Sequence, residues 1–274
     1  MKSRPIYATF TNNSKAITSL NDTFVIDIFT YSANCNIFNA LAPYMAVGIK
    51  ISLNKGLYLR DPQDTALGQN IIRHSILLID EIGFEAFNFK KLAYRMESTE
   101  ASVYRYFENK HMLLLYLVSW YWEWVSFLID LNTMNIEDPS KRLKIIISTL
   151  VSASKENPSI EYVNESILYR IIVSEGSKAY HIKQVDKENR EGLFLYYKNL
   201  TEKVAGVIAD INPDFPYPRT LASNLFEMVN NHIFFAEHLP RLTDVRVVED
   251  NYEEVEAMLR YFAFAILDGQ FSPE

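Results

Sequence analysis

Side chains able to grip a phosphate or a base edge gather in one short stretch of this chain. Lys90, Thr99, Glu100, Ser102, Tyr104, Arg105, Tyr106 and Lys110 fall within 21 residues. Arg105 carries a planar fork of donors that suits guanine or a phosphate, and Thr99 and Ser102 bring hydroxyls to base edges or phosphate oxygens. Tyr104 and Tyr106 offer phenols to a phosphate backbone, while Lys90, its neighbour Lys91 and Lys110 add ammonium charges. Glu100 is the odd member: it can accept from cytosine N4, yet like Glu97 and Glu108 it repels phosphate. From Glu85 to His111 five basic residues oppose four acidic ones. Two readings stay open on this chemistry, a duplex-reading face and a face that has lost that ability.

Such residues need short helices to aim them. Ile72, Ile76, Ile79 and Ile82 recur at spacings of three and four, which predicts a helix ended by a left-handed Gly83. Asn88 suits the N-cap of a second, short helix that turns Phe89, Leu92, Ala93 and Met96 inward. After a turn at Met96–Ser98, Thr99 suits the next cap, with Glu100 in a first turn where the helix dipole favours an acid. This third helix runs through Val103 and Tyr104 to Phe107. Asn109 then caps a long fourth helix, from Lys110 to about Leu131. With Thr99 as cap, Thr99, Glu100, Ser102, Arg105 and Tyr106 fall on the exposed side, and Val103 and Phe107 face the core. Helix, turn, helix at this spacing is the geometry that places a second helix in a major groove.

These residues resemble a known family. Ile71 to Gly83, Phe84-Glu85-Ala86-Phe87-Asn88-Phe89, Leu92-Ala93, Thr99, Ser102-Val103-Tyr104-Arg105-Tyr106-Phe107 and Asn109-Lys110 are similar to the DNA-binding domain of the TetR/AcrR transcriptional regulators. The resemblance covers about 45 of 274 residues. It departs from the family pattern at Glu97, where the turn usually has a glycine, and at Glu100, where a basic or small residue is common. It implies an all-α protein: an N-terminal three-helix helix-turn-helix domain, then an α-helical ligand-binding and dimerisation domain. It also implies a homodimer reading a two-fold operator in double-stranded DNA, more often as a repressor, with an arm before the first helix reaching the minor groove. Lys50, Lys55 and Arg60 could form that arm.

Composition agrees with this organisation. The chain has 274 residues, a formal charge of −7 and 49% hydrophobic residues, which suits folded domains. Residues 1–44 carry a net +1, residues 45–116 a net +1 and residues 117–274 a net −9, so nucleic-acid binding must rest on a local patch near the front. Residues 1–44 are rich in Asn, Thr and Ser and read as a disordered tail or a misassigned upstream extension, with a short element around Phe24–Phe29 as the alternative. Residues 45–68 form a basic and polar lead-in, 69–114 the helix-turn-helix domain, and 115–274 the ligand-binding and dimerisation domain. Further helices are expected at about 140–156, 159–175, 186–211, 219–238 and 246–268, separated by proline and glycine breaks. No uninterrupted apolar run approaches the ~18–20 residues of a membrane span. The single Cys35 excludes an internal disulfide and suits a reducing cytoplasm.

The remaining candidates are weaker. His74, His111, His181, His232 and His238 show no metal spacing, and no Gly-x-Ser-x-Gly elbow or phosphate-cradling glycine loop occurs, so neither an enzyme nor a cofactor or metal is expected. Trp120, Trp122 and Trp124 crowd the fourth helix. Trp120 and Trp124, with Phe127, Tyr169, Phe194, Tyr197 and Phe226, pack the core or line the cavity of a small apolar ligand. Phe234, Phe235, Tyr261 and Phe264 on the last two helices pack within the chain or against a second copy.

Overall fold

A computed structural model of the chain describes residues 7–8, 48–153, 160–248 and 251–269. It forms two compact units, Met1–Ser52 with Pro158–Glu161, and Leu53–Asn157 with Tyr162–Glu274. In the first unit β1 (Tyr7–Ala8) pairs in parallel with β2 (Gly48–Ile49), Tyr7 opposite Gly48. The rest of the expected tail 1–44, with Phe24–Phe29, lies outside the described residues.

The second unit is all-α. Its helices are α1 (Ala66–Ala86), α2 (Phe89–Arg95), α3 (Glu100–Tyr104), α4 (Lys110–Thr133), α5 (Pro139–Ser152), α6 (Glu165–Glu175), α7 (Val185–Arg190), α8 (Leu195–Ile211), α9 (Pro218–His238) and α10 (Glu253–Asp268). The segments expected as the helix-turn-helix and the larger helical region fall in this one unit. Helix α1 starts where the Thr65 hydroxyl accepts from the Gly68 N–H at 3.0 Å. Its buried stripe is Ile71, Ile72, Ile76 and Ile79, while Ile82 is half-buried. Gly83, at φ 74°, interrupts the helix where the sequence places a left-handed residue.

Helix α4 is the axis of the core. Residues on all its sides are buried, from Leu113 through Trp120, Tyr121, Trp122 and Trp124 to Ile129, because α5, α6 and α8 pack around it. It is long and apolar enough in composition to cross a bilayer, although it holds no long uninterrupted apolar run. Yet 78% of its most apolar window is buried within the protein. The apolar character is therefore spent on packing against other helices.

Three sequence expectations need correction. The helix expected over 186–211 is two, α7 and α8, because Gly192 adopts φ 78° between them. Helix α6 starts at Glu165 and α10 at Glu253, later than the expected 159 and 246. Residues 53–65 are packed onto the body and do not project as an arm. Leu57 is buried, Tyr58 meets the edge of Tyr116 at 6.1 Å, and Asn54 Nδ2 donates to the Gly192 carbonyl at 2.9 Å. Lys50 belongs to the first unit.

Polar contacts tie α1 to α6. Arg170 donates twice to the Asp80 carboxylate, at 3.0 and 2.8 Å. Next to the Gly83 break, the Phe84 N–H donates to Glu175 Oε1 at 3.1 Å. Lys178 bridges Glu175 and Glu85, at 2.7 and 3.1 Å.

Candidate nucleic-acid interface and cavity

Local hydrogen bonds shape the helix-turn-helix. Asn88 accepts from the Lys91 N–H at 2.9 Å, Thr99 from the Ser102 N–H at 3.3 Å, and Asn109 from the Met112 N–H at 2.9 Å. Each satisfies a donor that a helix start leaves without a partner. The turn after α2 is equally specific. Ser98 N–H donates to the Ala93 carbonyl at 2.9 Å, and Glu97 N–H to the Tyr94 carbonyl at 3.2 Å. This pair of bonds is a Schellman motif, whose left-handed position normally holds glycine. Glu97 occupies it at φ 51°, so a bend that usually calls for glycine is here made by a non-glycine residue.

The core side of the motif is as the spacing predicts. Leu92, Val103 and Phe107 are buried, and Met96 is half-buried. Of the eight candidate contact residues, Lys90, Thr99, Glu100, Tyr104 and Arg105 are exposed. Tyr104 also rests its ring edge on Phe89, with centroids 5.0 Å apart.

Three candidates are turned inward. Ser102 is buried, and its hydroxyl meets Ser98 Oγ at 2.8 Å, Thr99 Oγ1 at 2.9 Å and the Thr99 carbonyl at 2.7 Å. Tyr106 is only 2% exposed, because α3 ends at Tyr104 and the chain turns its next ring under the lead-in segment. Its hydroxyl pairs with Thr65 Oγ1 at 2.7 Å, its carbonyl accepts from Leu59 N–H at 2.8 Å, and Arg60 lies over its ring at 5.6 Å. Lys110 Nζ donates to the carbonyls of Phe84, Glu85 and Phe87 at 3.0, 3.1 and 3.3 Å, and sits 4.8 Å from the Phe84 ring centre. An ammonium there satisfies carbonyls at the end of α1, where the helix dipole is negative. Among the other local cations, Lys91 reaches the Ala86 carbonyl and Arg95 pairs with Glu81. The exposed candidates are therefore Lys90, Thr99, Glu100, Tyr104 and Arg105, and Glu97 and Glu108 are exposed as well.

A second feature lies among α4, α6, α7, α8 and α9. It is a cavity of about 360 Å³, with Trp122, Phe194, Tyr196 and Tyr197 as aromatic walls and Glu227 and Asn230 among its polar groups. Phe194 and Tyr197 come from the sequence-predicted set. Phe226 is fully buried and packs behind the wall, 5.6 Å from Trp122 and 5.7 Å from Tyr197. The other four do not line it. Trp120 and Trp124 stack at 6.0 Å, Phe127 stacks on Trp124 at 5.5 Å, and Tyr169 lies 5.9 Å from Tyr121. Because α4 is apolar all round, spacing could not tell which tryptophan meets open space.

The polar lining was missed. Glu227, Asn230 and Asn231 lie at i, i+3 and i+4 on α9, so they share a face, and that spacing is a legible signal. Glu227 Oε1 accepts from Tyr197 at 3.3 Å and from Tyr180 at 3.4 Å. Burial, then the Glu227 charge, pushes the Tyr180 phenol up to about 12, and the same two causes raise Tyr197. Beside the cavity His111 Nε2 meets both oxygens of the buried Glu188, at 3.0 and 3.2 Å, which joins the start of α4 to α7.

The expected dimer residues also divide. Tyr261 is 71% exposed, with Phe262 and Ile266 beside it on α10. Phe234 and Phe235 are half-buried, and so is Phe264, which lies under Lys144 of α5 at 5.3 Å. Among the described residues no group of three or more His, Cys, Asp and Glu could hold a metal ion.

No protein-family model and no curated protein matches the chain. Among solved structures its fold is similar to that of AibR in complex with isovaleryl coenzyme A and operator DNA. That match has 15% identity over 71% of this chain and 97% of the other, with a TM-score of 0.50. It is also similar to the fatty acid degradation regulator FadR from Bacillus halodurans, at 15% identity over 76% of this chain and 98% of the other, with a TM-score of 0.51. At this identity the likeness establishes the fold, an all-α chain with a helix-turn-helix ahead of a larger helical body.

Proposed function

We propose that this chain is a ligand-responsive, DNA-binding transcriptional regulator of the TetR/AcrR type, a homodimer that reads a two-fold operator and represses. In this reading it is cytoplasmic and not an enzyme. The observation that carries it is the capped α2–α3 pair, with Thr99 and Arg105 exposed at the two ends of a short recognition helix. AibR, whose fold is similar, is known in complex with operator DNA and an acyl coenzyme A, which supports a regulator with two kinds of partner.

The roles then divide as follows. Arg105 donates to a guanine edge or a phosphate, Thr99 and Tyr104 reach backbone oxygens or a base, and Lys90 touches the flanking strand. Glu100 selects against most bases and accepts from cytosine. Ser102, Tyr106 and Lys110 hold the motif in shape without touching DNA. Two copies joined through the exposed Tyr261, Phe262 and Ile266 present two such helices to two half-sites. A ligand in the cavity shifts the equilibrium between head orientations by no more than its differential affinity for them.

Exposed Glu97, Glu100 and Glu108 favour a second reading, a ligand-binding module of the same fold that ignores DNA. Selection from random duplex DNA by the purified full chain separates the two. An enriched palindrome supports the regulator; no enrichment at low salt, from a folded dimer, rejects it.

A further inference from the structure

The chemistry of the cavity points to a class of effector. Of its charged lining residues, Asp186 and Lys198 are exposed, and Lys198 already donates to Asn189. Glu227 is half-buried on α9, between the aromatic walls. Both phenols that reach it donate to Oε1, at distances of 3.3 and 3.4 Å that make weak bonds. Both phenols use the same oxygen, so among the described residues Glu227 is held by two neutral donors and by no Lys, Arg or His. Glu227 therefore keeps acceptor capacity to spare at a half-buried position on the cavity lining, where a cationic group could meet it. Trp122 and Tyr197, 5.4 Å apart and steeply inclined, offer ring faces and edges beside it.

From these features we infer that the cavity takes a small hydrophobic organic cation, an alkyl or aryl ammonium, with Glu227 as its counter-ion and Trp122 and Tyr197 as its aromatic walls. This deepens the reading of the cavity as an effector site and rests on it. A cation supplies the charge Glu227 lacks, and its alkyl groups gain both apolar burial and attraction to the ring quadrupoles. An acyl thioester bearing phosphates does the reverse: it would bring negative charge toward Glu227 into a C-terminal region of net charge −9. The size agrees, since about 360 Å³ suits a small ligand. The small apolar ligand expected from the aromatic residues is thereby given a charge.

Calorimetric titration of the full chain with benzyltrimethylammonium, with its neutral isostere neopentylbenzene and with isovaleryl coenzyme A tests this. The cation should bind at least about tenfold more tightly than either of the others. Glu227→Gln, which keeps an acceptor for both phenols, should remove that preference, and Glu227→Asp should restore part of it. Equal binding of cation and isostere, tighter binding of the thioester, or an unchanged preference in a Glu227→Gln protein of normal helicity would overturn the inference. The same samples, titrated with a selected duplex, separate it from the functional reading. Cation binding that leaves duplex affinity unchanged keeps the ligand class and rejects a ligand-responsive regulator. Thioester binding that releases duplex keeps the regulator and rejects the cation.

Discussion

Residues 88–112 and residues 184–238 are both helical, yet they are held by different means. In the first stretch every helix start carries a side-chain cap, from Asn88, Thr99 and Asn109, and one Schellman turn sets the bend. In the second, α7, α8 and α9 start without any side-chain cap. Helices α8 and α9 are placed by what they bury, Tyr196, Leu200, Val204, Leu225 and Phe226, and the short α7 by the contact of Glu188 with His111. Local hydrogen bonds thus define a small motif that must present a few side chains at fixed positions. Interior packing defines a larger body that leaves room for a cavity.

The largest expected effect lies in the packed body. Trp124 is 1% exposed and stacked between Trp120 and Phe127. Trp124→Ala should cost about 3–5 kcal/mol, read by denaturant unfolding with an unchanged slope, because it removes a large buried ring and leaves a cavity. A loss below about 1 kcal/mol would mean that packing around α4 is not what holds the body.

Next comes Lys110→Met, which takes the ammonium from three carbonyls at the end of α1. A destabilisation of about 1.5–3 kcal/mol is expected, the range for hydrogen bonds to a charged group. If Lys110 instead serves DNA, stability would hold and only duplex affinity would fall. A smaller effect should separate the two kinds of helix start. Asn109→Ala should cost about 1 kcal/mol, while Gln184→Ala, at a start that has no side-chain cap, should change stability by less than about 0.5 kcal/mol. Equal losses would erase the contrast.

The smallest change is a gain. Glu97→Gly should stabilise the protein by about 0.5–1 kcal/mol, since the left-handed backbone at φ 51° suits glycine. It should also tighten duplex binding by removing one carboxylate from the exposed face. Loss of stability would mean that the Glu97 side chain makes a contact worth more than its strain.

How much could be read from sequence follows the same division. Asn88, Thr99 and Asn109 were legible as caps because capping is a local rule of residue type and position, and so was the left-handed Gly83. Glu97 was legible as a departure, though not as the left-handed member of a Schellman turn. The inward turn of Tyr106 and Lys110 was hidden, because it depends on the exact end of α3 and on partners, Thr65 and the Phe84 carbonyl, that lie 41 and 26 residues away; Ser102 turns in on local partners, Ser98 and Thr99, that its residue type alone did not single out. In the body, α7 and α8 read as one helix because periodicity carries across Gly192. Trp122 could not be told from Trp120 and Trp124, since all three lie on a helix buried on every side. Glu227, Asn230 and Asn231 carried a readable spacing that only gains meaning once the aromatic walls are placed beside it.

The central claim is that a local, capped motif presents Arg105 to DNA. Its most direct test is the affinity of wild type and Arg105→Ala for a selected duplex, measured across a salt series. Expected for the variant is a loss of about 1–3 kcal/mol, roughly 5- to 150-fold, with unchanged thermal stability and relaxed selectivity at one base position. Equal affinity of the two proteins, or wild-type binding that shows no salt dependence, would contradict the claim.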